Sequence, residues 1–545
     1  MQPQGIGEGL DAISDTASPR TPAARRRPTA PSSAREVELK LVAPPHAIEA
    51  LAAAPMVLAH ARNAGTVRNL GSIYFDTPAR ELTRAGFALR VRRSGRQRIM
   101  TVKSAGGGAG DGLVGRGEWE VAITGEAPDL ALLPDAVPRA FREIVDNAAL
   151  EPVVITQVRR RAKKLDLPNA CIEFAIDSGT VEAGGRTVPL SEIELELVSG
   201  DVCALYDVAL DMLDRGAAEM SLYSKAARGF DLAFDRPPAW RKPRRGAIAR
   251  SASLDDAVAA MLSEGLRHFL DNRPAAVDGR DAEGIHQTRV ALRRLRSILK
   301  VLAGATGSAV AEDFAEDAKW LAGEQGDARS WDVFLAETVP PVEKACDDRA
   351  GFGVVRALGK PLHADGYARA RAAFGERRAL RLPLALARWI ESRGWREGAP
   401  AEALAVLAEP ASGLARDVLD RQHRKVLKRG RRFSRLDAEG RHEVRLAVKK
   451  LRYLSDFLLP LCTREKKAAA FAKGLSRLQD GLGRYNDIAA TDQLLGKLAG
   501  SGAPPTLHRA CGEIHGWQAR DLQAMEGELM ASWKAFSSTK VPWPD

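Results

Sequence analysis

Apolar and charged residues alternate through much of the first 235 residues, and this pattern predicts β-strands with one apolar and one charged face. The first example is EVELKL at 36–41, where Glu36, Glu38 and Lys40 share a face. Similar alternation recurs at 90–92, 101–103, 116–121, 173–177 and 192–197. One such strand alone is typical of a solvated sheet. So many charged rows favour a closed antiparallel barrel whose charges line a wet interior.

Beyond residue 250 the apolar spacing becomes helical, and one basic helix is repeated. HQTRVALRRLR at 286–296 aligns with HEVRLAVKKLR at 442–452. The spacing places His286, Arg289, Arg293, Arg296 and Lys300 on one helix face, and His442, Arg445, Lys449 and Arg452 on another. A third basic stripe contains Arg421, Lys425 and Lys428. The repeat predicts two pseudo-symmetric helical bundles that face each other.

These patterns predict an α+β domain followed by an all-α domain. Residues 1–33 are rich in Pro, Ala, Ser and Arg without periodicity and predict a disordered leader. The first domain is expected at 34–236, a Pro-rich and basic linker at 237–250, and the helical domain at 251–545.

Composition narrows the possible partners. The 545 residues carry a net charge of +11, which favours polyanions such as polyphosphate, phospholipid or nucleic acid. Aromatic residues make up 6% and do not interleave the basic stripes, so a nucleic-acid partner is not expected. No apolar run is long enough to cross a membrane, and a cytoplasmic location is predicted. The five cysteines are far apart, which argues against a zinc site or a disulfide framework.

The signs of the charged rows suggest a chemistry for the barrel. Carboxylates at alternate positions supply the hard oxygen ligands that Mg²⁺ or Mn²⁺ prefers. Arginine and lysine side chains that face them would hold phosphate oxygens. A tunnel lined in this way suits a linear polyphosphate chain.

The first domain resembles the CYTH superfamily, the triphosphate tunnel metalloenzymes. The resemblance rests on EVELK at 36–40, YFDT at 74–77, LRVR at 89–92, RGEWE at 116–120, ELEL at 194–197 and SKAARG at 224–229. It implies an eight-stranded antiparallel tunnel with flanking helices. It also implies catalytic roles for Glu36, Glu38, Lys40, Glu194 and Glu196. The implied metal ligands are Glu36, Glu38, Glu118, Glu120, Glu194 and Glu196, and the implied phosphate contacts are Lys40, Arg90, Arg92, Lys103, Arg116 and Lys225.

The strand around Arg159, Arg160 and Arg161 has an ambiguous register, because three consecutive arginines cannot all face inward. Their phase with Gln157 favours Arg159 and Arg161 as the inward pair that binds phosphate.

The second domain resembles the CHAD domain, an α-helical domain often found after CYTH. The HxxRVxxRRLR pattern at 286–296, and its Lys-containing copy at 442–452, carry this resemblance. It implies that the basic surface between the bundles binds inorganic polyphosphate. His286 and His442 are expected to be phosphate donors or packed helix residues rather than metal ligands, since neither has a carboxylate or second His at ligand spacing.

The leading hypothesis is therefore an inorganic triphosphatase of the CYTH-CHAD type. With Mg²⁺ or Mn²⁺ it would hydrolyse tripolyphosphate to pyrophosphate and phosphate, while its helical domain binds polyphosphate. One alternative is a non-catalytic, polyphosphate-binding or granule-associated protein. Another is a class IV-type adenylyl cyclase, although no motif predicts a nucleobase pocket.

Overall fold

The computed structural model describes residues 36–104, 115–146, 148–244, 248–249, 251–346, 348–462, 465–499 and 503–543. The predicted disordered leader, 1–33, lies outside these ranges.

The alternating segments form ten strands that belong to one antiparallel sheet. They are β1 (Glu36–Val42), β2 (Thr66–Asp76), β3 (Phe87–Ser94), β4 (Gln97–Ser104), β5 (Gly115–Arg116), β6 (Glu118–Ile123), β7 (Glu151–Leu167), β8 (Ala170–Ala183), β9 (Arg186–Gly200) and β10 (Glu219–Met220). Their order is β10-β1-β9-β8-β7-β2-β3-β4-β6, with β5 paired to β1.

The pairing of β5 with β1 closes the sheet into a tunnel. β6 pairs with β4, and only Gly117 separates β6 from β5, so the chain passes from one side of the closure to the other. The predicted number of eight strands is wrong as a count. The described residues form ten, because one strand is interrupted at Gly117 and the two-residue β10 pairs with the end of β1.

Short helices cover or fill this tunnel. They are α1 (Ile48–Ala52), α2 (Pro55–His60), α3 (Glu81–Arg84), α4 (Arg139–Val145), α5 (Cys203–Met212) and α6 (Lys225–Ala233). α5 packs outside, where Tyr206 and Val208 join the apolar faces of β1 and β9 in one core. α6 packs inside one end, where Ala226 and Phe230 contact inward-facing apolar residues such as Val154 and Val158.

The rest of the described chain is helical. Its helices are α7 (Leu254–Asp278), α8 (Ala282–Thr306), α9 (Ala309–Glu324), α10 (Gly326–Val333), α11 (Val339–Ala345), α12 (Arg349–Gly375), α13 (Arg377–Glu391), α14 (Ala401–Ala408), α15 (Ala411–Arg429), α16 (Ala438–Cys462), α17 (Glu465–Leu498) and α18 (Pro505–Ser538). The two repeated basic segments occupy α8 and α16, each 25 residues long. Within the described ranges, none of the helices combines the length and apolarity needed to cross a bilayer.

The tunnel and the helical domain pack directly against each other. α13 lies on α5, and one continuous apolar core includes residues from both domains. Ion pairs cross the same boundary: Arg388 with Asp207, and the buried Arg273 with Glu219. Burial of apolar surface across the boundary favours a fixed arrangement of the two domains.

Candidate active site

The tunnel brings together most of the side chains predicted for it. One cavity of about 560 Å³ is lined by Glu38, Lys40, Arg90, Arg92, Lys103, Glu118, Glu120, Glu194, Glu196 and Lys225. The backbones of Glu36 and Arg116 pair across β1 and β5. The predicted roles of these two side chains lie outside what the structure describes.

Three neighbouring strands form an acidic wall. Glu38 of β1 is directly opposite Glu196 of β9, which is directly opposite Glu173 of β8. Carboxylates in such cross-strand positions repel one another unless a cation lies near them. The next rows pair Lys40 with Glu194, and Glu192 with Asp177. The alternation seen in the sequence thus places carboxylates from three strands on one side of the tunnel.

Cations dominate the opposite wall. Arg90 and Arg92 project inward from β3 and Lys103 from β4, and Arg68 of β2 lines the same cavity. Arg160 of β7 pairs in register with both Arg68 and Asp177, so it joins the basic wall to the acidic one. A linear polyanion that lies between the walls would contact cations along one side and carboxylates along the other.

A buried ion cluster lies in the acidic wall. Lys225, from the start of α6, has its Nζ atom 2.9 Å from Asp177 Oδ2 and 2.7 Å from Glu194 Oε1, and it also contacts Glu192. Lys40 Nζ lies 3.3 Å from Glu194 Oε1 and 3.6 Å from Glu38 Oε1.

Arg160 completes this cluster. It donates to both Asp177 oxygens at 2.7 Å and also pairs with Glu194. Three protein cations therefore surround these carboxylates.

This cluster shifts the pKa values of its members in opposite directions. Burial alone would raise the pKa of Glu194, but Lys225, Arg160 and Lys40 outweigh it and hold the pKa well below its ordinary value. Burial alone would lower the pKa of Lys225, but Glu194, Glu192 and Asp177 outweigh it and raise the pKa. Glu194 and Lys225 therefore form a charged pair at neutral pH.

A second ion network lies where β3, β4 and β6 meet. Lys103 Nζ is 3.1 Å from Glu118 Oε1, and Arg90 Nη2 is 3.6 Å from the same oxygen. Glu120 accepts a hydrogen bond from Thr101 at 3.0 Å. Burial and the charges of Arg90 and Arg160 lower the pKa of the Arg92 guanidinium to about 10. Crowded cations of this kind favour a bound anion.

The prediction that Arg159 and Arg161 face inward is wrong. Arg159 is exposed, and Arg161 pairs with Glu49 outside the tunnel. The inward residue is Arg160. The two arginines do share a face with Gln157, as expected, but Val158 faces the interior because α6 fills that end of the tunnel with apolar contacts. In this strand, therefore, the apolar residue Val158 shows which face points into the tunnel.

Several residues that line the tunnel were given no site role from the sequence. Asp177 and Glu192 lie in acidic rows that the alternation revealed, and Glu173 is in phase with Asp177. Arg68 had no comparable signal, because isolated arginines alternate with apolar residues on many solvated strands. Arg160 belongs to the run of three arginines whose register the sequence left ambiguous. Cross-strand register is what brings them to the site.

In the helical domain the basic stripes of the two copies approach each other. Arg293 of α8 lies 5.6 Å from the Tyr453 ring of α16. Burial and the charges of Lys425, Lys300 and Arg296 lower the pKa of Lys450. Cations from α8, α15 and α16 therefore meet at one surface.

The remaining stripe residues differ in exposure. Arg421, Lys428 and His442 are exposed, Arg445 is buried, and Arg452 donates to Ser476 at 2.7 Å. Lys449 is half-buried on α16. Burial and Arg329 lower the pKa of His286, while burial and Arg293 lower the pKa of Arg289 to about 10.

Two known families match the chain. Residues 34–229 match the CYTH domain, and residues 260–496 match the CHAD domain. The chain is a CYTH domain followed by a CHAD domain. Both resemblances expected from the sequence are confirmed.

Individual relatives match either domain. An inorganic triphosphatase of Haemophilus influenzae is 32% identical over 162 residues, covering 30% of this chain and 45% of that protein. This chain thus aligns with less than half the length of that relative. The CHAD domain structure from Ricinus communis is 30% identical with a TM-score of 0.48, covering 56% of this chain and 98% of that one. A Hippeastrum structure, described as an adenylyl cyclase with a dominant triphosphatase activity, is 19% identical with a TM-score of 0.26. The match covers 36% of this chain and 95% of that one.

The acidic wall of the CYTH domain fits a divalent cation. Asp177, Glu192 and Glu194 each offer a carboxylate oxygen within 4.8 Å of the others. Among the described residues, buried Glu38 Oε1 and both Glu192 oxygens make no hydrogen bond of good geometry, although Lys40 and Lys225 lie near them. An all-oxygen donor set is the one that Mg²⁺ and Mn²⁺ prefer.

Proposed function

We propose that the CYTH domain hydrolyses inorganic triphosphate to pyrophosphate and phosphate with Mg²⁺ or Mn²⁺. The observation that carries the proposal is the tunnel with one acidic and one basic wall. Pure anion binding has no need of the acidic row Glu38, Glu196 and Glu173. A metal-assisted phosphoryl transfer needs both walls. The triphosphatase of Haemophilus influenzae supports the same substrate class.

The side chains of the tunnel divide the work between them. We assign phosphate binding to Arg90, Arg92 and Lys103 of the basic wall, together with Arg160, which replaces the arginines expected from the sequence. These cations hold the chain so that its terminal phosphorus is aligned with a water molecule. Arg116 remains a predicted phosphate contact.

The metal would be held by the acidic wall, through Glu38, Glu194 and Glu196 with Asp177 and Glu192. When bound, it supplies charge neutralisation for the phosphate oxygens during in-line attack by water. The bond between the terminal phosphorus and its bridging oxygen breaks, the water oxygen bonds to phosphorus, and pyrophosphate leaves. Glu36 remains a predicted ligand, as do Glu118 and Glu120, which already pair with Arg90 and Lys103.

For the CHAD domain we propose binding of inorganic polyphosphate at the surface where α8, α15 and α16 meet. The support is the crowding of Arg296, Lys300, Lys425 and Lys450, since like charges held together favour a polyanion. We assign the other stripe residues to the same surface, with His286 and His442 as donors. A cytoplasmic location also remains a prediction.

Phosphate release from a panel of substrates tests the proposed reaction. The full chain is incubated with tripolyphosphate, longer polyphosphate, ATP or thiamine triphosphate, with Mg²⁺ or Mn²⁺. We expect release from tripolyphosphate to be fastest. Cyclic AMP and pyrophosphate from ATP would instead select the cyclase alternative.

One observation favours a second candidate, a non-catalytic polyphosphate clamp. Lys40, Arg160 and Lys225 already neutralise much of the acidic wall, so these carboxylates have a structural use without metal. Tight polyphosphate binding with no cleavage of any substrate would select it.

Polyphosphate binding by the CHAD domain is tested with a fluorescent long-chain polyphosphate. The double variant Lys300→Ala with Lys425→Ala should weaken binding at least tenfold. The matched control changes Lys344 and Lys360, exposed lysines on α11 and α12, to Ala and should bind as the wild type does. Equal affinity for all three proteins would contradict the proposed surface.

A further inference from the structure

The cavity of the CYTH tunnel is also lined by residues that lie beyond the CYTH match. Arg241 and Arg244 come from the segment that joins the domains, and Arg267 and Asp271 come from α7 of the helical domain. Three of these four side chains are cationic. The space in which triphosphate would bind therefore continues to a surface that the second domain helps to build.

The segment that carries Arg241 is held in place by buried side chains of α7. The backbone N–H of Arg241 donates to Asn272 Oδ1 at 2.8 Å, and its carbonyl accepts from Asn272 Nδ2 at 2.9 Å. The same carbonyl lies 3.1 Å from His268 Nε2. Asn272 and His268 are 0% and 2% exposed, so this clamp is part of the domain's interior.

His268 is neutral in this clamp. Burial, followed by the charge of Arg294, lowers its pKa to about 4. Its Nε2 atom also lies 3.1 Å from Gln287 Oε1, and both of these partners accept hydrogen bonds, so Nε2 carries the proton. The tautomer is therefore set by the two acceptors.

Arg244 is held in a similar way. Its backbone N–H donates to Glu264 Oε1 at 2.7 Å, and its Nη2 atom lies 4.0 Å from Asp271 Oδ2. The joining segment is thus fixed to α7 at two points that both lie beside the tunnel cavity.

We propose that Arg241, Arg244 and Arg267 form an anion subsite at the mouth of the tunnel. This subsite binds the phosphate units of a linear polyphosphate that extend beyond the three held inside. Guanidinium groups bind phosphate oxygens in pairs, and exposed Arg241 and Arg244 sit on a fixed backbone, so binding has to order only their side chains. The inference rests on the proposed function. It makes the preferred length of the polyphosphate substrate depend on the docking of the helical domain against the tunnel.

The test compares tripolyphosphate with tetrapolyphosphate in steady-state hydrolysis by the full chain. The double variant Arg241→Ala with Arg267→Ala should raise KM for tetrapolyphosphate at least tenfold, because it removes two guanidinium groups and the loss of one charge-assisted contact alone costs about tenfold. KM for tripolyphosphate should change less than twofold. Lys242→Ala is the matched control, because Lys242 is an exposed cation of the same segment that does not line the cavity. It should leave both values unchanged.

Asn272→Ala tests whether the clamp positions the subsite. We expect this variant to raise KM for tetrapolyphosphate as the double variant does, with kcat for tripolyphosphate unchanged and an intact helical circular dichroism spectrum. Equal KM ratios for tetra- and tripolyphosphate in the wild type and in the double variant would overturn the proposal.

Failure of the subsite and failure of the proposed reaction are distinguishable. If the wild type cleaves neither substrate, the reaction is refuted, and calorimetric titration with tetrapolyphosphate and tripolyphosphate then decides the subsite. The subsite would still be supported if the double variant lost affinity tenfold for tetrapolyphosphate but not for tripolyphosphate. An unchanged affinity ratio would refute the subsite as well.

Discussion

Replacement of Lys225 by Met removes the central cation of the acidic wall. The Lys225 side chain is 9% exposed and contacts Asp177, Glu192 and Glu194. Methionine is nearly as long and is apolar, so the variant keeps the packing of α6 but leaves three buried carboxylates with one cation fewer. Lys40 and Arg160 remain beside Glu194.

The expected loss of stability follows from these contacts. Removal of one partner from a buried ion pair costs about 3–5 kcal/mol. The two remaining cations place the expected loss near the lower value, about 3 kcal/mol. For a domain of this size, that corresponds to a fall in Tm of about 10 °C at pH 7.

The loss should depend on pH with a definite sign. In the wild type, the cations hold the pKa of Asp177 and Glu194 below the ordinary values of 3.8 and 4.5. Ionised carboxylates therefore stabilise the fold above about pH 4 and lose this effect as pH falls through their folded-state pKa values. Without Lys225 these pKa values rise. The variant and the wild type should thus converge in stability as the carboxylates become protonated below pH 4.

Thermal unfolding at pH 7 and at pH 3, without added metal, measures both effects. Lys163→Met is the matched control, because Lys163 lies 5.3 Å from the Phe174 ring on the outside of the same barrel. Its loss should cost about 1 kcal/mol or less. A Lys225→Met variant as stable as this control at pH 7, or one whose deficit is the same at both pH values, would refute the proposed electrostatics of the cluster.

Three further predictions concern the corrected register, the helix inside the tunnel and the clamp. Arg160→Ala should lower kcat/KM for tripolyphosphate at least tenfold, whereas Arg159→Ala should change it less than twofold. A larger loss in Arg159→Ala than in Arg160→Ala would support the register expected from the sequence instead. Gly229→Ala should lower the free energy of unfolding by about 1–3 kcal/mol in denaturant titration, because its Cβ would lie 2.2 Å from a Val154 methyl group. His268 takes up a proton near pH 6.5 in the unfolded state but only near pH 4 in the folded state. The free energy of unfolding of the wild type should therefore fall by about 3 kcal/mol as pH is lowered from 6.5 to 4, and that of His268→Gln should fall by less. Parallel pH profiles of stability for the two proteins would contradict this.

Alternation in the sequence predicted the inward rows that contain Glu38, Lys40, Glu194 and Arg90, because a closed barrel preserves the period of two. It failed at Arg159 and Arg161. There the interior is apolar, since α6 enters the tunnel, and no local pattern reveals that a helix from later in the chain fills a barrel. The strand count failed for a similar reason: a break at a single glycine and a two-residue strand leave no periodic signal.

The helical spacing predicted α8 and α16 correctly, because a basic stripe repeated at intervals of three and four residues fits only a helix. The contributions of Arg241 and Arg267 to the tunnel cavity could not be predicted. They result from the docking of one domain on the other, through contacts between residues far apart in the sequence.

Phosphate release from tripolyphosphate by the wild type, Glu38→Gln and Glu196→Gln, as Mg²⁺ or Mn²⁺ is titrated, tests the tunnel chemistry most directly. Both variants keep the shape of the side chain and remove one negative charge from the acidic wall. The matched control is Glu49→Gln, whose carboxylate is exposed outside the tunnel. We predict metal-dependent release by the wild type and the control, and a loss of at least a hundredfold in both tunnel variants. Release that needs no metal, or tunnel variants as active as the control, would contradict a metal-dependent triphosphatase site between the two walls.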